Sequence, residues 1–210
     1  PPGGTGPENR TEAEMRKGLA RALFWQSAHM GKTGQLKGVL NSLFMADDLR
    51  DLLERAVLLD PDYSNSYYVL GQLYQQLPGG LISFGDDDLS VNYGRVSIHL
   101  HEEDYEAGRV ANRYYDYYTE LARHLWARNW SEDRRMRRRE KDKSRYARAE
   151  GPLERARYFE ASIPIPDTSD REEALRLISR VTGSMEDIED PDTRTRRDLE
   201  KARQLLSSWE

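Results

Sequence analysis

Residues whose types and spacing could do chemistry fall in a few places along the chain. His29-Met30-Gly31-Lys32-Thr33 ends in Gly-Lys-Thr, the close of a phosphate-binding loop in which backbone N–H groups cradle phosphate oxygens. The full pattern needs a glycine five positions before Gly31, where this chain has Gln26, and no apolar strand precedes it. A turn that breaks a helix is the better account of residues 31–34. His99, His101, Glu102, Glu103 and Asp104 mix imidazoles with carboxylates, a donor set suited to divalent metals. Two positions apart on a helix, however, the histidines face different sides. A solvated helix end is therefore expected there, and no metal site. Asp86-Asp87-Asp88 lacks the glycine and distal glutamate of a calcium loop and reads as the N-terminal cap of a helix. No cysteine occurs, which removes thiolate nucleophiles, thiolate metal sites and disulfides together. No Ser/His/Asp set and no pair of carboxylates in an apolar setting stands out. The expectation is a protein that is not an enzyme, with no catalytic residue, metal or cofactor.

Two further groups suit binding. Tyr114, Tyr115, Tyr117, Tyr118, Leu121, Leu125 and Trp126 crowd one segment. Tyr114, Tyr118, Leu121 and Leu125 form a stripe at helical spacing, bordered by Tyr115. Core packing is the plainer reading. The functional one is a groove wall, which tyrosine suits because its ring packs while its hydroxyl faces water or ligand. On that reading Tyr67, Tyr74, Tyr114, Tyr118 and Trp126 line the groove. Residues 132–157 hold eleven Lys/Arg against six Asp/Glu, a net +5, which leaves −10 on the rest of the chain. Such a stretch attracts phosphate, nucleic acid or an acidic surface. Its interleaved acids favour a solvated helix laced by i,i+4 pairs. The overall net charge of −5 over 210 residues disfavours a dedicated nucleic-acid binder.

The elements that position these residues read as helices throughout. Residues 1–10 are Pro/Gly-rich and read as a flexible lead-in. Thr11 and Glu14 have capping-box spacing, and Leu19, Ala20, Leu23, Phe24 and Ala28 recur helically up to about Gly31. Further helices are expected through Leu36–Phe44, Asp47–Leu59 and Asn65–Leu77, the third of these ending before Pro78-Gly79-Gly80. Another is expected from Asp87 or Asp88 to about Leu100. Glu103–Arg128 reads as one aromatic helix, and Ser131–Ser162 as a charged one with an interruption at Gly151-Pro152. Ile163-Pro164-Ile165-Pro166 is extended, since a residue before proline avoids the helical region. Helices at Ser169–Val181 and Pro191–Trp209 complete an all-α chain. No window is apolar for long enough to span a bilayer.

Within this series lies a repeat. A tetratricopeptide unit is a 34-residue helix–turn–helix with small residues where its helices cross and large ones beside them. Leu49, Leu53, Ala56 and Pro61 have the spacing of its second helix. Tyr67, Leu70, Gly71 and Tyr74 follow in register as the next first helix. Ser90, Gly94 and Ser97 supply the small positions of a closing helix, but only after the insert PGGLISFGDDD. The expected architecture is one tetratricopeptide-like α-solenoid over 11–210, clearest at 48–100, with cryptic flanking repeats.

Residues 54–95, ERAVLLDPDYSNSYYVLGQLYQQLPGGLISFGDDDLSVNYGR, resemble spirochaetal tetratricopeptide lipoproteins and the T component associated with TRAP-type transporters. The resemblance implies a periplasmic, lipid-anchored binding protein that partners a solute-binding protein in transport and has an apolar channel for a small ligand. The lipobox cysteine is absent from this sequence. The residues alone leave two alternatives open. One is a cytoplasmic adaptor that holds a peptide tail, with Asn65 and Arg95 as a clamp. The other is a nucleic-acid-associated helical protein that uses Arg134–Arg148.

Overall fold

A computed structural model describes residues 7–37, 45–80, 82–186 and 188–209. Among these it is all-helical, with nine α-helices and no strand. Helix α1 spans Pro7–Lys37. It starts before Thr11, since a proline suits the first helical turn, where its missing N–H costs nothing. It also runs through residues 31–34, so the expected break there is not found. Thr33 Oγ1 bonds back to the His29 carbonyl at 2.9 Å inside the helix. A Cβ on Gly31 would come within 4.0 Å of the Leu49 side chain. A methyl there would make only ordinary contact, so α1 carries Gly31 at the usual glycine cost of about 1 kcal/mol. The expected Leu36–Phe44 helix lies outside the described residues apart from the backbone up to Lys37.

Helix α2, Ala46–Leu59, buries Ala46, Leu49, Leu53, Ala56 and Val57, one face at helical spacing. Asp60-Pro61 ends it, and α3, Ser64–Gln76, buries Ser64, Ser66, Tyr67, Leu70, Gly71 and Tyr74. The insert folds back on the end of α3: Gly85 N–H bonds the Pro78 carbonyl at 3.1 Å and Asp86 N–H the Tyr74 carbonyl at 2.9 Å. A Cβ at Gly85 would overlap the Leu77 carbonyl oxygen, so only glycine fits. Helix α4, Asp87–Glu106, is capped by Asp86, which accepts from Asp88 N–H at 2.9 Å and Leu89 N–H at 3.0 Å.

The expected Glu103–Arg128 helix is two. Gly108, at φ +68°, ends α4 in a left-handed turn, and α5 begins at Tyr115 and runs to Arg128. The expected Ser131–Ser162 helix divides at the expected interruption, Gly151-Pro152, and again after Ala156. It becomes α6, Glu132–Arg148, then α7, Pro152–Ala156, and a 3₁₀ turn at Phe159–Ala161. Helices α8, Asp170–Glu186, and α9, Thr193–Trp209, follow.

Most helices pack on their neighbours in the chain: α1 on α2, α2 on α3, α3 on α4, α4 on α5, and α8 on α9. The exception is α6 with α7 and the 3₁₀ turn, which lies between α5 and α8 in sequence while α5 packs directly on α8. Two large apolar cores result, beside a small cluster of Ala20, Leu23 and Ala56 between α1 and α2. Phe24, Leu53, Val57, Tyr67, Leu70, Tyr74, Tyr93 and Val96 form one. Val91, Leu121, Ala122, Leu125, Ala174, Ile178, Val181 and Ala202 form the other. Helix α4 serves both, with Tyr93 and Val96 in the first and Val91 in the second. Where α3, α4 and α5 meet, Gly71 and Gly94 leave room for His124. A Cβ on either would stand 3.1 Å from its ring.

Candidate functional site

The residues expected to line one tyrosine groove do not come together. Tyr67 and Tyr74 are core side chains, packed with Tyr93 at ring distances of 6.1 and 5.5 Å. Burial pushes both hydroxyls up from the usual tyrosine value. Neither offers a ligand surface, because their helical spacing on α3 puts both on its buried face. Trp126 stacks on Trp209 at 4.4 Å, with the Arg171 guanidinium over its ring. Tyr118 lines a cleft of about 90 Å³ between α5 and α8, and its hydroxyl donates to Glu102 Oε1 at 2.6 Å. Only Tyr114 borders a larger space.

That space is a pocket of about 540 Å³. Helix α1 contributes Lys17 and Arg21, and the α2–α3 turn contributes Asp60, Asp62 and Tyr63. Ser64 and Asn65 come from the start of α3, and Leu100, His101, Glu103 and Asp104 from the end of α4. Arg109, Val110 and Tyr114 complete it from the α4–α5 connection. Its back wall is tightly bonded. His101, 1% exposed, accepts the Tyr114 N–H at Nε2 (2.9 Å) and stacks on the Tyr114 ring at 4.4 Å. The solvated histidine expected here is therefore a buried one, although His99 beside it stays half exposed and lies 3.5 Å from Glu103. Burial lowers the His101 pKa, and Glu102 and Asp104 oppose that only in part. Tyr117 OH donates to Asn65 Oδ1 at 2.8 Å, and Tyr68 stacks on Tyr117 at 4.4 Å. Asp60 is 6% exposed, yet its carboxylate has no ion pair among the described residues. The pocket lining combines the cations Lys17 and Arg21 of α1 with the carboxylate-bearing α2–α3 turn, so it is polar and carries both charges. Among the described residues no group of three or more His, Cys, Asp or Glu is placed to hold a metal.

A second constellation was not foreseen from the sequence. Arg95, Arg128 and Arg135 are buried and converge on Glu160, Asp170 and Glu173. Arg95 bonds Glu160 Oε1 at 2.8 Å and Glu173 Oε2 at 2.9 Å. Arg128 grips Asp170 with two bonds of 2.8 Å and reaches Glu160 Oε2 at 2.6 Å and Asp88 Oδ1 at 3.0 Å. Arg135 forms an ion pair with Asp170, Nε to Oδ1 3.0 Å, and hydrogen-bonds Glu173. Asn92 Oδ1 accepts the Glu160 N–H at 2.8 Å. Burial works to raise the Glu160 carboxyl, but Arg95, Arg128 and then Arg135 outweigh it and hold it well below the usual range. Each charge is matched inside the cluster, so it works as a clamp that fastens the 3₁₀ turn to α4, α5 and α8. Arg95 is thereby committed internally and cannot serve with Asn65 as a peptide clamp. Arg135 likewise corrects the view of the basic segment as wholly solvated. The available signal was charge at core-register positions: Arg128 stands three and seven residues after Leu125 and Leu121, and Asp170 four before Ala174.

No family model, no curated protein and no solved structure matches this chain. No helix among the described residues is long and apolar enough to cross a membrane.

Proposed function

We propose that this chain is a non-enzymatic helical-repeat binding protein of the tetratricopeptide type. It holds a polar segment of a partner in the pocket between α1, α3 and the α4–α5 connection. The observation that supports this most directly is the pocket itself: about 540 Å³, in the range of small-molecule sites, among α1 to α5, which pack in chain order. In a repeat array, stacked helix pairs create such a surface between successive units. The repeat reading draws support from Gly71 and Ala56 at close helix approaches and from Pro61 at the turn between α2 and α3. The polar lining favours a charged or hydrogen-bonding ligand over the small apolar one that the resemblance implies.

The periplasmic address, the lipid anchor and the solute-binding partner belong to the proposal through the resemblance in 54–95. A precursor with a signal peptide and a cysteine just before residue 1 is the expected finding, and a precursor lacking both contradicts that address. The binding reading is tested by capture from native membrane extract with the wild type and with a rim variant, Lys17→Glu/Asp62→Arg. Both rim positions are exposed, so the variant keeps the fold. A partner recovered by the wild type and lost with the variant is expected. Identical recovery by both removes the pocket from the proposal.

A further inference from the structure

Helix α6 carries charge on two faces that do different things. On its inner side Arg135 and Asp142 are buried, and Arg139 donates to the Ile163 carbonyl at 2.7 Å. Arg138 pairs with Asp88 at 3.0 Å and Asp142 at 2.6 Å. On the outer side Arg134, Arg137, Lys141 and Arg148 are all exposed. Their spacing of three, four and seven residues puts them within an arc of about 60°, along roughly 21 Å of helix. Arg137, Lys141 and Arg148 have no ion pair or hydrogen bond among the described residues, and Arg134 rests over the Trp130 ring at 4.4 Å. No acid lies inside the arc itself: exposed Asp133, four residues before Arg137, borders it, and Glu140, further round, pairs with Lys143 at 2.6 Å.

We propose that this outer face of α6 is a docking ridge for an acidic protein segment that presents carboxylates along one side. Charge complementarity carries the assignment, since four like charges in line attract an anion of matching length. The rest of the molecule then decides which anion. Residues outside 132–157 sum to −10, so a long polyanion or a charged plane reaching past α6 meets repulsion, while a short acidic segment does not. The arc holds no apolar side chain for insertion into lipid. The nearest aromatic, Trp130, has Arg128 and Arg134 each 4.4 Å from its ring and is not free to stack on a base. Three of the four cations are arginines, whose forked guanidinium pairs with carboxylates in two-pronged geometry, as Arg128 does with Asp170 inside this same protein. The ridge lies apart from the pocket and does not depend on it.

Fluorescence anisotropy of the whole chain with three probes tests this: an oligo-glutamate peptide, duplex DNA of equal length, and vesicles containing phosphatidylserine. The peptide binds, and more salt weakens it. Arg137→Glu/Lys141→Glu/Arg148→Glu lowers its affinity by at least about tenfold, since exposed charge pairs that are weak singly act here together. Arg137→Lys/Arg148→Lys, which keeps the charge and loses the fork, falls between. Circular dichroism of each variant confirms that these exposed changes leave the helices intact. Tighter binding of DNA or vesicles than of the peptide overturns the proposal. Unchanged peptide affinity in the reversal variant, or no binding of any probe, does the same.

Discussion

At Glu160 one carboxylate receives two buried guanidiniums directly, from Arg95 and Arg128, with Arg135 3.6 Å away. Removing one partner of a buried ionic group leaves the others uncompensated, at a cost of about 3–5 kcal/mol. Glu160→Gln is therefore expected to lower unfolding stability in urea by an amount in that range. The pH dependence has a definite sign. The Glu160 pKa lies below its unfolded value, near 4.5, so its stabilisation is complete above that value and drains away as pH falls below it. The two buried histidines act at milder acidity. His101 is lowered by burial, and His124, fully buried, is lowered to about 3. His124 stays neutral when folded over this range, and His101 takes up its proton at lower pH folded than unfolded. Stability should fall from pH 7 to pH 5, with a slope of at most about 2.7 kcal/mol per pH unit for the two together. His101→Gln, which keeps an acceptor for the Tyr114 N–H, should flatten that slope in urea melts repeated across this range. A slope unchanged in the variant would exclude His101 as a source.

The crossing of α3, α4 and α5 turns on two absent methyl groups. A Cβ at Gly71 would stand 3.1 Å from His124 Nε2 and 3.2 Å from the Ser90 carbonyl oxygen, and one at Gly94 3.2 Å from Leu121 Cδ1. Alanine would gain about 1 kcal/mol of helix propensity, but crowding a packed crossing costs about 1–3 kcal/mol. The backbone carbonyl at Gly71 cannot swing away as a side chain could. Gly71→Ala is expected to be net destabilising, and more so than Gly183→Ala, which meets nothing within 4 Å; paired thermal melts would rank them. At this same scale the sequence was legible where periodicity and punctuation agreed. Leu49, Leu53 and Ala56 ahead of Pro61, and Tyr67, Leu70, Gly71 and Tyr74 after it, lie on the buried faces of α2 and α3 as their spacing requires. It was not legible where one backbone angle or a distant partner decided. Gly108 ends α4 with a positive φ inside a stretch whose aromatic spacing reads as continuous helix. Glycines at 31 and 34 look like a break, yet α1 runs through both. The ionic clamp was hidden because charged residues read as surface, and their partners lie 25 to 78 positions away.

Across the whole molecule, stability should be graded, and α4 should be its most protected part. It is the one helix with buried apolar side chains in both large cores, through Tyr93 and Val96 on one side and Val91 on the other. It also carries Arg95 and the His101–Tyr114 bond. Opening α4 therefore breaks both cores and the clamp at once, which is close to global unfolding. Helix α6 is the opposite case. It buries only Arg135 and Asp142, it packs chiefly on the 3₁₀ turn, and its outer face meets water. Amides exchange through the cheapest opening available to them, and elements with few buried apolar contacts open locally. Hydrogen-exchange mass spectrometry should then rank α4 slowest, α3 and α5 next, and α6 among the fastest. Glu160→Gln should speed exchange in α6 and the 3₁₀ turn far more than in α3, because the lost carboxylate ties that segment to the helix stack. Equal acceleration everywhere would mean the clamp supports global stability alone and does not pin the basic arm. Slow exchange in α6 of the intact chain would mean that the clamp through Arg135 holds this helix as firmly as the apolar cores hold α4.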